Sequence, residues 1–242
     1  MHVKKIPVLL VFCLVAAIPL SAQTQHSVWL ASFQTYRLDQ RFSIHFDGQW
    51  RSTDHLQSMQ TLLLRSGLNF RTGRHLVVSA GYAFISNRKS IAGITGYAPE
   101  HRIWEQAIVS HTLKKINTTH RFRLEQRMIS NHVVRNNELA KTGTHFTTRF
   151  RYFIRNTLPF TQKEIFHKGI FAAIQNEIFL NNGNRSFVNG KTFDQNRFYL
   201  AVGYKFNPSL SMDFGYLNQY INGKNSSSTN NHILQLATYT QL

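Results

Sequence analysis

Two neighbouring stretches of the chain, residues 118–129 and 145–157, alternate charged and mostly apolar side chains with a period of two. A period of two is typical of β-strands. A soluble sandwich buries its apolar face and leaves its charges dispersed in water. Here six arginines fall on one side of two strands, which favours a barrel with an enclosed cationic interior and an apolar outer face. These arginines are Arg121, Arg123, Arg127, Arg149, Arg151 and Arg155.

The first 22 residues have the pattern of a secretory signal peptide. A pair of lysines precedes an apolar run at residues 6–20, which is followed by small residues. We therefore predict a signal peptide at residues 1–22, cleaved after Ala22, and one exported domain at residues 23–242. A membrane anchor is the alternative, but the run is short and polar residues follow it at once. The single cysteine, Cys13, lies in this run, so the exported domain has neither a disulfide nor a thiolate metal site.

The charge balance is strongly basic, with 28 Lys+Arg against 11 Asp+Glu and a formal net charge of +17. Such basicity also suits a protein that binds nucleic acid. The positive charge is spread through the predicted strands instead of being concentrated in a tail or one helix, so we expect no nucleic-acid partner. After the signal peptide, no stretch reaches the roughly 18 consecutive apolar residues of a membrane helix. If the chain enters a membrane, it does so as strands, with outer-membrane lipids around it.

Alternation predicts eleven strands and almost no helix. The predicted strands are residues 27–38, 42–52, 60–71, 75–85, 102–113, 118–129, 145–157, 169–181, 194–206, 210–220 and 232–242. Most of them approach the ten or so residues that a tilted membrane strand needs. Two strands leave their facing open. In the first, Trp29, Ala31 and Phe33 oppose Leu30, Ser32 and Gln34, and in the fifth, Glu105 and Gln106 compete for the interior.

The links between predicted strands alternate in length. Most links after odd-numbered strands are short, whereas longer ones follow even-numbered strands, including residues 86–99 and 130–143. This alternation is typical of outer-membrane barrels, which nevertheless have an even number of strands when they are bacterial. The sequence therefore predicts an all-β fold, a transmembrane antiparallel β-barrel of about 10–12 strands.

Several stretches resemble a known family. They are EHRIWEQAIVSHTL and THRFRLEQRM within residues 100–128, then NEIFLNNG and FDQNRFYLAVGYKFNPSLSMDFGYLNQY within residues 176–220. The sequence is similar here to the family called domain of unknown function 2490, a set of predicted bacterial outer-membrane barrels. The likeness follows nearly the whole chain after the signal peptide. It implies a barrel in the bacterial outer membrane, and it implies no activity, because none is established for the family.

The arginines opposite the apolar faces are the best candidate functional residues. We predict that they line the lumen: Arg51, Arg65, Arg71, Arg121, Arg123, Arg127, Arg149, Arg151, Arg155 and Arg197. Four carboxylates share that side, namely Asp47, Glu125, Glu177 and Asp213. A guanidinium is always charged and binds carboxylates and phosphates with two parallel hydrogen bonds. Two interpretations stay open: a structural, salt-bridged interior without conductance, or a lumen that conducts or binds small anionic solutes.

Catalytic and metal motifs are missing from the sequence. There is no HExxH, no GxSxG and no phosphate-binding glycine loop, and the histidines are scattered without the clustered spacing of metal ligands. We therefore expect no cofactor and no metal. A barrel hydrolase that modifies lipids from the outer surface is the enzymatic alternative, with Ser110, His111 and His120 as its candidate residues.

Overall fold

The computed structural model describes residues 23–161, 166–225 and 227–242. The predicted signal peptide at residues 1–22 lies outside the described residues. Eleven strands make up the fold: β1 Gln23–Arg37, β2 Phe42–Ser52, β3 Met59–Arg71, β4 Leu76–Ile91, β5 Ile94–Leu113, β6 Ile116–Arg135, β7 Glu138–Pro159, β8 Gly169–Asn181, β9 Phe193–Asn207, β10 Leu210–Asn222 and β11 Ser228–Gln241. Two single 3₁₀ turns, Asp54–Leu56 and Arg185–Phe187, lie in links. Among the described residues no helix has the length and apolar character to cross a membrane.

The strands form one closed barrel, which confirms the all-β barrel and a strand number within the predicted range. Each strand pairs antiparallel with the next, and β1 closes the sheet by pairing parallel with β11. The closing register runs from Gln23 opposite Thr229 to Thr35 opposite Gln241. The prediction of a wholly antiparallel barrel is therefore wrong at one junction. With every link a hairpin and an odd number of strands, the first and last strands must run the same way.

Two predicted loops are in fact parts of strands. Residues 86–99 and 130–143 continue the barrel strands as long hairpins that turn at residues 92–93 and 136–137. Asn136 and Asn137 have positive φ angles of 50° and 62°, as do Ala92 and Gly93 at 48° and 82°. Positive φ at both central residues is the geometry of the tight turn whose twist matches two paired strands. The alternation of short and long links therefore reflects strand length here more than loop length.

The two ends of the barrel differ, and we name them by their links. The turn end carries the links at residues 38–41, 72–75, 114–115 and 208–209, and both β7 and β11 end there. The hairpin end carries the two long hairpins, and β1 begins there. At the turn end, Asp39 accepts hydrogen bonds from the backbone N–H groups of Phe42 and Arg41, both at 2.7 Å. These bonds favour the charged carboxylate and lower the pKa of Asp39.

The faces of the wall follow the two-residue period, with large apolar side chains pointing outward. On β1, Leu30 is 45% exposed and its neighbour Trp29 only 5%, so the odd-numbered residues of this strand face the interior. On β5, Ile103 is 50% exposed and Trp104 is fully buried. Glu105 therefore faces outward and Gln106 inward. The structure thus settles the facing of both strands that the sequence leaves open.

Aromatic rings fill part of the interior by lying against glycines of the wall. A Cβ atom built on Gly67 would come within 2.5 Å of the Trp104 ring, and one on Gly81 within 2.6 Å of the same ring. The ring therefore occupies the space that side chains at these two positions would take. Trp104 forms an apolar cluster with Leu63, Ala83 and Ile85, and a second cluster surrounds Trp29 on another part of the wall.

Candidate functional site

Glu125 is the centre of an ion-pair network inside the barrel. It lies directly opposite Arg149 in the β6–β7 register. Its carboxylate is 2.7 Å from Arg149 Nη2, 2.6 Å from Arg151 Nη1 and 3.6 Å from Arg102 Nη1. Glu125 is only 1% exposed, so the charge is removed from water and stabilised by these three guanidinium groups. The strand period brings them together because all of these side chains lie on the inward face.

The other three predicted carboxylates are also buried and paired. Glu177 binds Arg121 at 2.8 Å and Arg151 at 2.7 Å, so Arg151 joins two carboxylates. Asp47 binds Arg65 at 3.0 Å. Asp213 accepts from Arg155 at 2.6 Å and from the Tyr199 hydroxyl at 2.7 Å. These contacts place all four predicted carboxylates in the interior.

Sequence reasoning missed two further carboxylates and one arginine of this network. Glu100 pairs with Arg102 at 2.7 Å and with Arg127 at 2.6 Å. Glu100 falls before the predicted fifth strand, but extending the alternation backwards from Trp104 would have found both Glu100 and Arg102. Asp194 pairs with Arg149 at 2.8 Å. A register shift between β8 and β9 lies beside Asp194, and no sequence pattern announces it.

Three interior arginines have no carboxylate oxygen within 4 Å among the described residues: Arg51, Arg123 and Arg197. Arg123 is sealed in the wall at 1% exposure, where its Nε and Nη2 donate to Gln106 at 3.0 and 2.6 Å. Its guanidinium also lies 4.9 Å from the Trp104 ring centroid. Arg51 and Arg197 instead lie against Trp29, and each donates to a glutamine of its own strand.

A cavity of about 920 Å³ occupies the interior and extends from Ser58 at the hairpin end to Gln241 near the turn end. Only two carboxylates of the network, Glu100 and Glu177, belong to its lining. Ten arginines line it: Arg51, Arg65, Arg88, Arg102, Arg121, Arg127, Arg149, Arg151, Arg155 and Arg197. The arrangement gives a space large enough for many water molecules, and its walls carry more positive than negative charge.

Two of the predicted basic residues lie elsewhere. Arg123 is not part of the cavity lining, because Gln106 and Trp104 hold it within the wall. Arg71 has the inward parity of β3, but it is the last residue of that strand and is exposed at the turn end. A two-residue period predicts which way a side chain points, and it does not predict whether the strand continues far enough to enclose it.

The residues of the enzymatic alternative do not form a catalytic arrangement. Ser110 and His111 are consecutive on β5 and so point to opposite faces of the wall. The Ser110 hydroxyl is 3.2 Å from the Thr119 hydroxyl, whereas His111 stacks on His120 with ring centroids 5.4 Å apart. His120 in turn is 2.9 Å from the Tyr152 hydroxyl. Within the described part of the chain, no three His, Cys, Asp or Glu side chains form a group that could hold a metal ion.

The fold and the interior together define the class of protein: a closed eleven-stranded β-barrel with an apolar outer face and an arginine-rich, ion-paired interior around a cavity. The chain belongs to the family described as "Protein of unknown function (DUF2490)", whose model matches residues 26–231, as the resemblance in the sequence implies. No curated protein and no solved structure matches the chain.

Proposed function

We propose that this protein is exported by a signal peptide at residues 1–22 and spans the bacterial outer membrane as a barrel whose cavity binds or conducts small anionic solutes. The observation that carries the proposal is the pair Arg51 and Arg197, two guanidinium groups at the cavity that have no carboxylate partner among the residues the structure describes. The outer face of the barrel supports the membrane part of the proposal, and the inner face supports the anion part.

The outer wall supports the membrane part of the proposal. Exposed apolar side chains lie on many strands around the barrel, among them Leu30 at 45%, Phe214 at 56% and Val202 at 61% exposure. A protein in water rarely exposes a continuous apolar patch larger than a few hundred Å² (about 300–600 Å²). Lipid chains can cover such a surface, and in a closed barrel every strand has its backbone paired on both sides.

The inner charges support the anion part. Ten arginines of the interior are accompanied by six carboxylates, so positive charge remains after every carboxylate is paired. Low-dielectric walls strengthen the field of that charge and screen it poorly, so small anions concentrate in the cavity.

A structural, salt-bridged barrel without conductance is the second candidate. The observation in its favour is that seven interior arginines already have a carboxylate within 4 Å, including Arg149 and Arg151 with two each. On this view the interior serves only to hold the wall together, and the cavity contains water.

Fractionation tests the location. When the full chain is expressed, we expect the mature protein to begin at Gln23 and to be recovered with the outer membrane. It should need detergent for extraction and migrate differently on gels before and after heating. A variant without residues 1–22 is the control and should stay in the cytoplasm. A mature protein that is soluble in the periplasm would disprove the membrane proposal.

Planar-bilayer recording and calorimetry test the anion. In a potassium chloride gradient we expect a reversal potential of the sign that anion preference gives, and we expect purified protein to bind inorganic phosphate even if the cavity is closed to current. If the protein shows neither conductance nor binding of any anion, the structural barrel remains as the function.

A further inference from the structure

We infer that the cavity has one principal anion site, in which Arg51 and Arg197 together hold an oxyanion with two negative charges, a phosphate or a dicarboxylate, beside Trp29. This inference rests on the proposed function and specifies where the anion binds and which class it belongs to.

The two guanidinium groups come from distant parts of the chain and meet at one aromatic ring. Arg51 lies opposite Trp29 in the β1–β2 register, and Arg197 reaches the same ring from β9. Their guanidinium carbons are 4.1 and 5.0 Å from the Trp29 ring centroid, so they are no more than about 9 Å apart. A guanidinium carbon lies about 4 Å from the central atom of an oxyanion that it binds through hydrogen bonds of ordinary length. Two such contacts together span about 8 Å, close to this upper bound, so we infer that one oxyanion contacts both groups.

Both side chains retain donors for such a ligand. Arg51 Nη2 donates to Gln49 at 2.6 Å, and Arg197 Nη2 donates to Gln195 at 3.0 Å. The Nε–H group of each arginine is buried and has no hydrogen-bond partner in the described part of the chain. A guanidinium has five N–H donors, and a glutamine oxygen accepts a bond without cancelling the charge. Two positive charges and several donors are therefore available at the same place.

The carboxylates near Arg197 are already paired with other arginines. Arg151 and Arg149, which hold these carboxylates, lie over the Phe179 ring at 4.4 and 5.0 Å, and Arg197 lies over the same ring at 4.6 Å. Glu177 and Glu125 are held by Arg151, so they are not free to move to Arg197 without leaving another buried guanidinium unpaired. Two uncompensated charges in a poorly screened space favour a ligand with two negative charges over chloride.

The test is calorimetric titration of the purified full-length mature barrel with inorganic phosphate, malonate and chloride. We expect phosphate and malonate to bind, chloride to bind at least about 10-fold more weakly, and Arg51→Gln or Arg197→Gln each to weaken dianion binding about 10-fold or more, because each removes charge-assisted hydrogen bonds. Arg123→Gln is the matched control, since Arg123 also lacks a carboxylate but lies outside the cavity lining, and it should leave binding unchanged.

The outcomes separate this inference from the proposed function. Dianion binding that survives in Arg51→Gln and Arg197→Gln would overturn the site but not the anion-binding cavity. Weakening by Arg123→Gln as large as that by the two site variants would have the same consequence. Chloride binding as tight as phosphate binding would overturn the dianion class. If the unmodified barrel binds no anion, this inference fails, and the proposed function fails as well only if the barrel also shows no anion-selective conductance. Thermal unfolding without ligand shows whether each variant is folded. Removing an unpaired charge should not lower the unfolding midpoint, so a loss of binding in a variant with an unchanged midpoint is assigned to the site.

Discussion

Arg151 Nη1 lies 2.6 Å from Oε1 of Glu125, a carboxylate that is 1% exposed and is also bound by Arg149. Replacing Glu125 with Gln keeps the size of the side chain and removes its charge, which leaves three buried guanidinium groups with one carboxylate fewer. We expect the variant to lose about 3–5 kcal/mol of stability, the usual effect of breaking a buried ion pair. The measurement is the midpoint of the heat-induced shift on gels.

Glu105→Gln is the control for that substitution. Glu105 lies on the outward face of the wall, where Gln126 Nε2 donates to its carboxylate at 3.0 and 3.2 Å. In a bilayer a charge on this face is unfavourable, so we expect Glu105→Gln to leave the midpoint unchanged or to raise it. If both glutamine variants lower the midpoint equally, the ion-pair network around Glu125 does not make the contribution to stability assigned to it.

The packing of Trp104 against the wall predicts a difference between two glycines. We expect Gly67→Ala to destabilise the barrel by about 1–3 kcal/mol, because its Cβ would lie 2.5 Å from the indole and 2.8 Å from the backbone oxygen of Ala80. Gly48→Ala is the matched control, since the nearest atoms to its Cβ would be 3.8 Å away. Urea unfolding of the two variants in the same bilayer measures the difference, and similar midpoints would contradict the packing.

The parallel closure can be tested with a pair of cysteines. Ser32 and Thr238 are in register across β1 and β11, and the native cysteine is Cys13, within the predicted signal peptide. We expect Ser32→Cys with Thr238→Cys to cross-link under mild oxidation or with a short dithiol reagent, and to change the mobility of the unfolded chain on gels. Ser32→Cys with Asn218→Cys is the control, because β10 is not a neighbour of β1. Equal cross-linking of both pairs would contradict the register.

Much of the fold can be predicted from the sequence, because the two-residue period is local. The inward position of Glu125 and Arg151 follows from neighbours one and two residues away, and the same applies to most of the strands. What the period cannot give is how the sheet closes, since the pairing of Gln23 with Thr229 depends on the number of strands between them. It also cannot tell that residues 86–99 are paired, since their turn at Ala92 is not marked by the usual Asn-Gly.

The candidate site is less predictable than the fold. Sequence analysis identifies Arg51 and Arg197 only as two of ten equivalent arginines. What distinguishes them is the position of carboxylates on other strands. Arg151 lies near Glu125 and Glu177, whereas the hydrogen bond of Arg197 goes to the neutral Gln195. Pairing of this kind depends on strand register and on side-chain reach across the barrel. Neither can be obtained from the sequence of one strand.

The junction of β1 with β11 also has a consequence for biogenesis. Residues that pair there are separated by 206 positions in the chain, as in Gln23 and Thr229, so the barrel cannot close until its last strand has been made. Before that moment the sheet is an open ribbon, and β1 presents a row of free backbone donors and acceptors that another chain could join. Long-range pairing of this kind also folds slowly. Protection of the β1 edge until β11 has been made is therefore a requirement that the architecture itself imposes on the cell.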